Sequence, residues 1–293
     1  MNFSNRRQPS AVFLVFCLLL GLSSCDTGSD GEQPTSVAGN AAAGAAGEFA
    51  VDSDERADRD VVTEKWPYAE VDDQLVYGYF AFPADMVAPI PAIILIHDRW
   101  GLDESMQDFS RRLAAEGYIV VAIDLFGGET AASPGPARTL EIKVFENPRL
   151  AAENIRQAYQ FLKDTFGAPK VASIGFGFGG GWSLNAAMLL PEELSASVTY
   201  YGQVINDQEK LSAVQAPLLG LFAADDRVIT AKSVFAFEVA LQALAKEFEI
   251  EIFSGVGRGF ADRQSEKYSS ETAALAWSQT VNFLDRHMAA DAN

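Results

Sequence analysis

Short apolar runs alternate along the chain with segments of helical periodicity. The apolar–polar alternation of residues 71–82 predicts a strand or hairpin that Pro83 ends. A continuous apolar run predicts a strand buried on both faces at 92–96, and 118–123 reads as the next buried strand. A central strand is predicted at 171–174 and further strands at 197–201, 218–223 and 249–253. Amphipathic segments predict helices at 103–117, 150–166, 180–190, 231–245 and 268–288. Residues 125–147 are rich in Gly and Pro, which predicts a loop.

The order of these segments indicates the fold class. Strands that alternate with helices are typical of an α/β domain whose central sheet is mostly parallel and carries helices on both faces. Residues 63–293 are long enough for one such domain. The folded part is therefore predicted to be a single α/β domain.

The N-terminus has the features of an export signal. Arg6 and Arg7 precede an apolar run over residues 11–20, which is too short for a comfortable membrane span. The sequence LSSC at 22–25 resembles the lipobox of bacterial lipoproteins, which implies cleavage before Cys25 and lipidation of its thiol. We therefore predict a signal peptide over 1–24 and a lipid-anchored protein of the bacterial cell envelope, with its domain on the extracytoplasmic side. The choice between inner and outer membrane stays open.

Composition supports a tethered, acidic domain. Residues 25–62 contain few large apolar side chains, so a flexible tether is predicted there. The chain has 22 basic and 40 acidic residues, a net charge of −18 that argues against nucleic acid binding. Both cysteines, Cys17 and Cys25, lie before the predicted domain, which leaves it without a thiol for catalysis or for a soft metal site. Contact with the membrane is expected only through the lipid.

A glycine-rich turn carries the candidate chemistry. Residues 175–180 read GFGFGG between a predicted buried strand and a helix, which is the position of the nucleophile elbow in α/β-hydrolases. The loop lacks the Lys-Ser/Thr ending of a P-loop. Its glycine spacing also fits G-x-G-x-x-G, but the turn lies late in the chain and the strand 197–201 has no acid at its end for a ribose. A hydrolase elbow is favoured.

Several motifs resemble the dienelactone hydrolase family, a branch of the α/β-hydrolase superfamily, over about residues 70–290. They are IHDRWGL at 96–102, LAAEGY at 113–118, IDLF at 123–126, SIGFGFGG at 173–180, AADDRVI at 223–229 and GVGRGF at 255–260. The resemblance implies an α/β-hydrolase fold and an ester- or lactone-hydrolase ancestry. It places Gly177 at the nucleophile position, Arg258 at the histidine position and Asp226 at the acid position. Asp98 stands where the family has a glutamate that contacts the thiol.

These replacements remove the family's chemistry. Glycine has no atom that can attack, and arginine stays protonated and cannot act as a base. The only histidines, His97 and His287, are expected to be a residue of the oxyanion loop and a solvated surface group. We predict that the Cys-His-Asp triad is lost, and that installing Gly177→Cys with Arg258→His gives measurable ester hydrolysis.

The remaining groups suggest binding instead of turnover. We predict a receptor for a small carboxylate or an ester. Its groups are the amide of Phe178, the helix start at Gly179 and the cation of Arg258, with His97 and Asp98 beside them. Neither a cofactor nor a metal is expected. The positions of the family's substrate-carboxylate arginines fall on Gly128 and Asp262, with Arg263 adjacent.

Three alternatives remain open. Arg258 could form a structural ion pair with Asp226 in a vestigial cleft. The protein could be an active ester or lactone hydrolase that uses Asp98, Asp226 or a bound water. It could also be a scaffold partner of an active paralogue, for which no protein partner is identified.

Overall fold

The computed structural model describes residues 59–87 and 89–289. The predicted signal peptide, Cys25 and nearly all of the predicted tether lie outside these residues. Within them, eight strands form one sheet in the order β1-β2-β4-β3-β5-β6-β7-β8. The strands are β1 (Val61–Val71), β2 (Gln74–Pro83), β3 (Ala92–Ile96), β4 (Ile119–Ile123), β5 (Val171–Phe176), β6 (Ala196–Tyr200), β7 (Leu218–Ala223) and β8 (Phe248–Phe253).

Seven helices occur in the described part of the chain, six between strands and one after β8. They are α1 (Glu104–Ala115), α2 (Pro134–Glu146), α3 (Pro148–Phe166), α4 (Phe178–Leu189), α5 (Gln208–Leu211), α6 (Ala231–Ala243) and α7 (Ser270–Met288). Helices α1 and α7 pack on one face of the sheet, and α2, α3, α4 and α6 pack on the other. No helix among the described residues is both long and apolar enough to cross a bilayer.

The sheet is parallel except at its N-terminal side. Strands β1 and β2 form an antiparallel hairpin, β2 pairs antiparallel with β4, and all later neighbours are parallel. Every residue of β3, β4 and β5 is buried, as their continuous apolar runs predict. The α/β-hydrolase fold and the mostly parallel sheet are thus confirmed.

The strand order positions a crevice. Strand β3 lies between β4 and β5, so the chain leaves β3 towards one side of the sheet and later returns on the other side. Such a reversal separates the loops that follow the two central strands and opens a crevice at their carboxyl ends. The loops after β3 and β5 meet there, because Ile96 of β3 is in register with Gly175 of β5.

Two elements depart from the prediction, strand β1 and helix α2. A strand or hairpin was predicted only over 71–82, whereas β1 begins at Val61 and pairs with β2 along its length. The prediction of a loop over 125–147 is wrong for Pro134–Glu146, which is helical. Proline stands at the first turn of this helix, where its missing N–H costs nothing. Only Ala137, Leu140 and Val144 are buried, so the apolar periodicity is too weak to show in the sequence.

Candidate active site

The turn after β5 keeps the geometry of a nucleophile elbow. Gly177, at its tip, has φ 50° and ψ −106°, a conformation that strains any residue with a side chain. Its N–H donates to the carbonyl of Tyr200 at 2.9 Å, which ties the turn to the end of β6. A Cβ on Gly179 would collide with the carbonyl oxygens of Ile96 and His97, so only glycine lets α4 approach β3 this closely. The elbow is intact in its backbone.

The space of the missing nucleophile is filled by Asp98. A Cβ built on Gly177 would overlap Oδ1 of Asp98 and would lie 2.7 Å from its Cγ and 2.9 Å from its Oδ2. Real Cβ atoms do not approach other atoms this closely, so the carboxylate and a side chain at 177 exclude each other. The glycine and the aspartate therefore form a matched pair.

The same carboxylate occupies the oxyanion-binding donors. In α/β-hydrolases these donors are the N–H of the residue after the nucleophile and an N–H of the loop after β3. Here they are the N–H groups of Phe178 and Arg99, which donate to Oδ1 of Asp98 at 3.1 and 2.7 Å. The site thus holds its own anion.

Burial and charge set the protonation of Asp98. Burial raises the pKa of its carboxyl to about 6, while the N–H of Arg99, the charge of Arg258 and the N–H of Phe178 oppose that shift. The group is therefore mainly ionised at neutral pH, and it places a negative charge where the predicted anionic ligand would bind. The predicted donors Phe178 and Gly179 offer no open anion site in this arrangement.

The acid and histidine positions form an ion pair. Nε of Arg258 lies 3.6 Å from Oδ2 of Asp226, and an Nη of Arg258 donates to the carbonyl of Tyr201 at 2.8 Å. Oδ1 of Asp226 accepts the N–H groups of Val228 and Ile229 at 2.7 and 3.0 Å. The carboxylate organises its own loop and neutralises Arg258, as one of the open alternatives supposes.

The two histidines lie away from Asp226. His97 is fully buried, its Nε2 accepts the N–H of Leu125 at 3.1 Å, and its Nδ1 therefore carries the proton and donates to the carbonyl of Asp98 at 2.7 Å. Burial lowers the pKa of this imidazole, which keeps it neutral. His287 packs against Phe283 and lies 3.8 Å from Glu247. Its side chain is half-buried, so the prediction of a solvated surface group is wrong. The carboxylates that lie near these two rings are Asp124 and Glu247, and not Asp226.

The positions of the family's carboxylate-binding arginines have other roles here. The N–H of Gly128 donates to the carboxylate of Asp124, which closes the loop after β4. Asp262 is buried and accepts the hydroxyl of Ser105 at 2.5 Å. The guanidinium of Arg263 turns instead towards α1, 3.8 Å from Asp108. None of the three side chains supplies a cation to the elbow.

Cavities near the elbow differ in size. The one beside Asp98 and Tyr201 has ≈ 0 Å³ of open volume. A cavity of ≈ 590 Å³ opens beside the loop 124–128. Gly128, the position of one of the family's carboxylate-binding arginines, lines it, whereas none of the residues predicted for the triad or for the anion receptor does. No group of acidic, histidine or cysteine side chains suited to a metal occurs in the part of the chain that the structure describes.

Sequence reasoning missed two features. The backbone donor of Arg99 was not foreseen, because an N–H carries no residue-type signal. The arginines of α1, Arg111 and Arg112, received no functional interpretation, and their proximity to Arg263 depends on the fold. The adjacent Arg-Arg pair in an acidic chain was the available signal.

Comparison with known proteins agrees with the fold and the motifs. A protein of Saccharolobus solfataricus with the name "Putative carboxymethylenebutenolidase" is 26% identical over 259 residues, 76% of this chain and 98% of that protein. One of the same name from Aquifex aeolicus is 28% identical over 220 residues, 73% of this chain and 94% of that protein.

Solved structures give the same fold. A dienelactone hydrolase-like promiscuous phosphotriesterase from metagenomic libraries has a TM-score of 0.71 at 19% identity, covering 78% of this chain and 99% of its own. A dienelactone hydrolase from Anabaena variabilis has a TM-score of 0.58 at 18% identity, covering 78% and 99%. The family model for dienelactone hydrolases matches residues 76–288. The chain belongs to the dienelactone hydrolase family.

Proposed function

We propose that this protein is a lipid-anchored member of the family that has lost ester hydrolysis and acts by binding a small anion or a protein partner. The observation that carries the loss of hydrolysis is the carboxylate of Asp98, which accepts hydrogen bonds from both oxyanion donors at 2.7 and 3.1 Å. Because it also closes the elbow to an anion, binding is proposed elsewhere on the domain. A substrate carbonyl has no free donors to polarise it and no nucleophile to meet it.

The acid and histidine positions support the same proposal. Acyl transfer requires a base that takes a proton from the nucleophile and returns it to the leaving group. Arg258 cannot release its proton at physiological pH, and its charge is paired with Asp226 at 3.6 Å. The three positions of the triad are thus a glycine, a permanent cation and a carboxylate bound to that cation.

The test is turnover of p-nitrophenyl acetate by the full chain in non-ionic detergent. We expect a rate equal to that of the buffer blank. A rate above the blank that persists in Asp98→Ala and Asp226→Ala variants would reflect a contaminating esterase, so the two variants serve as controls. Turnover that disappears in either variant would refute the proposal.

A second candidate is an ester or lactone hydrolase that uses Asp98 as nucleophile. It is favoured by one observation, the position of the carboxylate in the space of the nucleophile with a pKa of about 6. Carboxylates serve as nucleophiles in other hydrolases. This carboxylate, however, takes up the donors that an acyl intermediate would need. Loss of turnover in Asp98→Ala together with a trapped mixed anhydride between Asp98 and the acyl group in a mass spectrum would establish it.

The membrane anchor is also part of the proposal. The support is the sequence of residues 6–25, in which two arginines precede an apolar run and the segment LSSC follows it. We expect the wild-type chain in the membrane fraction of its host and an acylated N-terminal peptide at Cys25. A Cys25→Ser variant that fractionates and migrates like the wild type would contradict the anchor.

A further inference from the structure

Three arginines gather at one small cavity between α1 and the loop 261–264. The cavity has a volume of ≈ 170 Å³, and its lining includes Arg111 and Arg112 of α1 and Arg263 of the loop. The chain as a whole carries 40 acidic and 22 basic residues. Three guanidinium groups at one cavity repel one another unless nearby negative charge compensates them.

The carboxylates at this cavity are fewer than the cations. Arg111 has a close partner in Glu104 at 2.7 Å. Asp108 lies 3.7 Å from Arg111 and 3.8 Å from Arg263, so one carboxylate serves two guanidinium groups at long distance. Three positive and two negative charges therefore line this site.

Arg112 is the cation of this cavity that contacts aromatic rings. Its guanidinium lies 3.9 Å from the ring centroid of Trp277 and 5.5 Å from that of Phe109. Burial lowers the pKa of Arg112. The negative charge of Asp108 opposes this shift, and the positive charge of Arg263 adds to it. Stacking on an indole fixes the plane of the guanidinium and leaves its N–H edge for a planar acceptor.

We propose that this cavity, which we call the arginine cavity, binds a small anion with a carboxylate or phosphate group. Two guanidinium groups from different elements, Arg112 of α1 and Arg263 of the loop 261–264, supply forked donors that match these oxygens. An anion between them would also remove the mutual repulsion of the three cations. The elbow offers no competing site, because Asp98 fills its donors. The inference does not depend on whether the elbow hydrolyses esters.

Isothermal titration calorimetry on the full chain in non-ionic detergent tests the inference. Inorganic phosphate and succinate are titrated separately at constant ionic strength, which distinguishes the two oxyanion chemistries. We expect saturable binding of at least one of them. No saturable heat with either anion would overturn the proposal.

Variants locate the site. Arg263→Ala changes a side chain that is 63% exposed, so folding is unaffected, and the loss of a charge-assisted hydrogen bond should weaken binding about tenfold or more. Arg112→Lys keeps the charge but removes the fork, and it should weaken binding in the same direction. Arg156→Ala, an exposed arginine of α3 on the other face of the sheet, is the matched control. Unchanged binding in Arg263→Ala and Arg112→Lys, or an equal loss in Arg156→Ala, would also overturn the proposal.

Discussion

The elbow and the arginine cavity are two sites of opposite character in one domain. At the elbow, the two backbone donors and one Nη of Arg258 have acceptors from the chain itself, and the charge of Arg258 lies 3.6 Å from that of Asp226, although Nε of Arg258 and Oδ2 of Asp226 make no hydrogen bond. At the arginine cavity, three guanidinium groups face two carboxylates, and Arg112 lies over an indole ring. A site whose charges balance is stable without a ligand, whereas a site with excess charge gains free energy from one. The comparison suggests that the ancestral cleft was closed and that recognition moved to another surface.

The largest expected effect comes from reopening the elbow. The sequence predicts measurable hydrolysis for Gly177→Cys with Arg258→His, but the structure changes this expectation. The double variant should stay close to the blank, because the introduced side chain meets the carboxylate of Asp98. Adding Asp98→Ala frees both donors, and we expect p-nitrophenyl acetate hydrolysis at least ~100-fold above the wild type. Equal activity of the double and triple variants would show that Asp98 is no obstruction.

The matched pair of Gly177 and Asp98 predicts a large loss of stability. Gly177→Ala should lower the free energy of unfolding by about 2–4 kcal/mol, from overlap with the carboxylate and from the strained φ of 50°. Gly127→Ala is the control, because Gly127 has φ +66° but no atom within 4 Å of a built Cβ, so only strain of ~1–2 kcal/mol remains. Urea unfolding measures both. An equal cost at the two positions, or no relief of the Gly177→Ala cost by Asp98→Ala, would contradict the pairing.

The raised pKa of Asp98 predicts a pH-dependent cost. The unfolded carboxyl loses its proton near pH ~4, and the folded one near pH 6. Between these values the folded state holds more protons, so wild-type stability falls as pH rises and the effect is complete above pH 6. Asp98→Asn cannot titrate and still accepts both N–H groups. Its stability relative to the wild type should therefore rise by about 1–2 kcal/mol between pH 5 and 7.5. Thermal unfolding across this range, above the pI of 4.4, measures the difference, and a constant difference would refute the assignment.

A smaller effect is expected at the ion pair of Arg258 and Asp226. Arg258→Met leaves the carboxylate of Asp226, whose side chain is 2% exposed, without its cation. The distance is 3.6 Å and Arg258 is 30% exposed, so the loss should be about 1–2 kcal/mol, less than for a fully buried pair. Arg138→Met, at an exposed position of α2, should change stability by less than about 0.5 kcal/mol. Equal unfolding midpoints for the two variants would show that the pair contributes no stability.

The sequence was most informative where burial dictates the residue type. The runs that form β3, β4 and β5 are apolar throughout because helices cover both faces of the sheet, so they could be predicted directly. The glycines of the elbow could also be predicted, since close helix–strand packing admits no Cβ at Gly179. Helix α2 could not, because its small buried stripe leaves most of its surface polar and its prolines read as breaks.

The content of the site depended on tertiary geometry. An aspartate after β3 was expected in contact with the elbow. Its hydrogen bonds to the N–H groups of Arg99 and Phe178 could not be predicted, because Phe178 lies 80 residues further along the chain and only the fold brings it to Asp98. The same limit applies to the arginine cavity, whose members come from α1 and from a loop after β8. The residue types at positions 177 and 258 predicted the loss of the triad. The position of the Asp98 carboxylate at the oxyanion donors depends on the fold.

The carboxylate of Asp98 blocks the oxyanion donors from within the chain. Asp98 directly precedes Arg99, whose N–H is one of these donors, so the effective concentration of the carboxylate at the donors is high compared with that of a free solute. Boronates, phosphonates and other oxyanion mimics that inactivate serine and cysteine hydrolases must displace it before they can bind, and they would find no nucleophile to bond with. A covalent activity-based probe for esterases should therefore pass over this protein in a membrane extract while it labels active relatives.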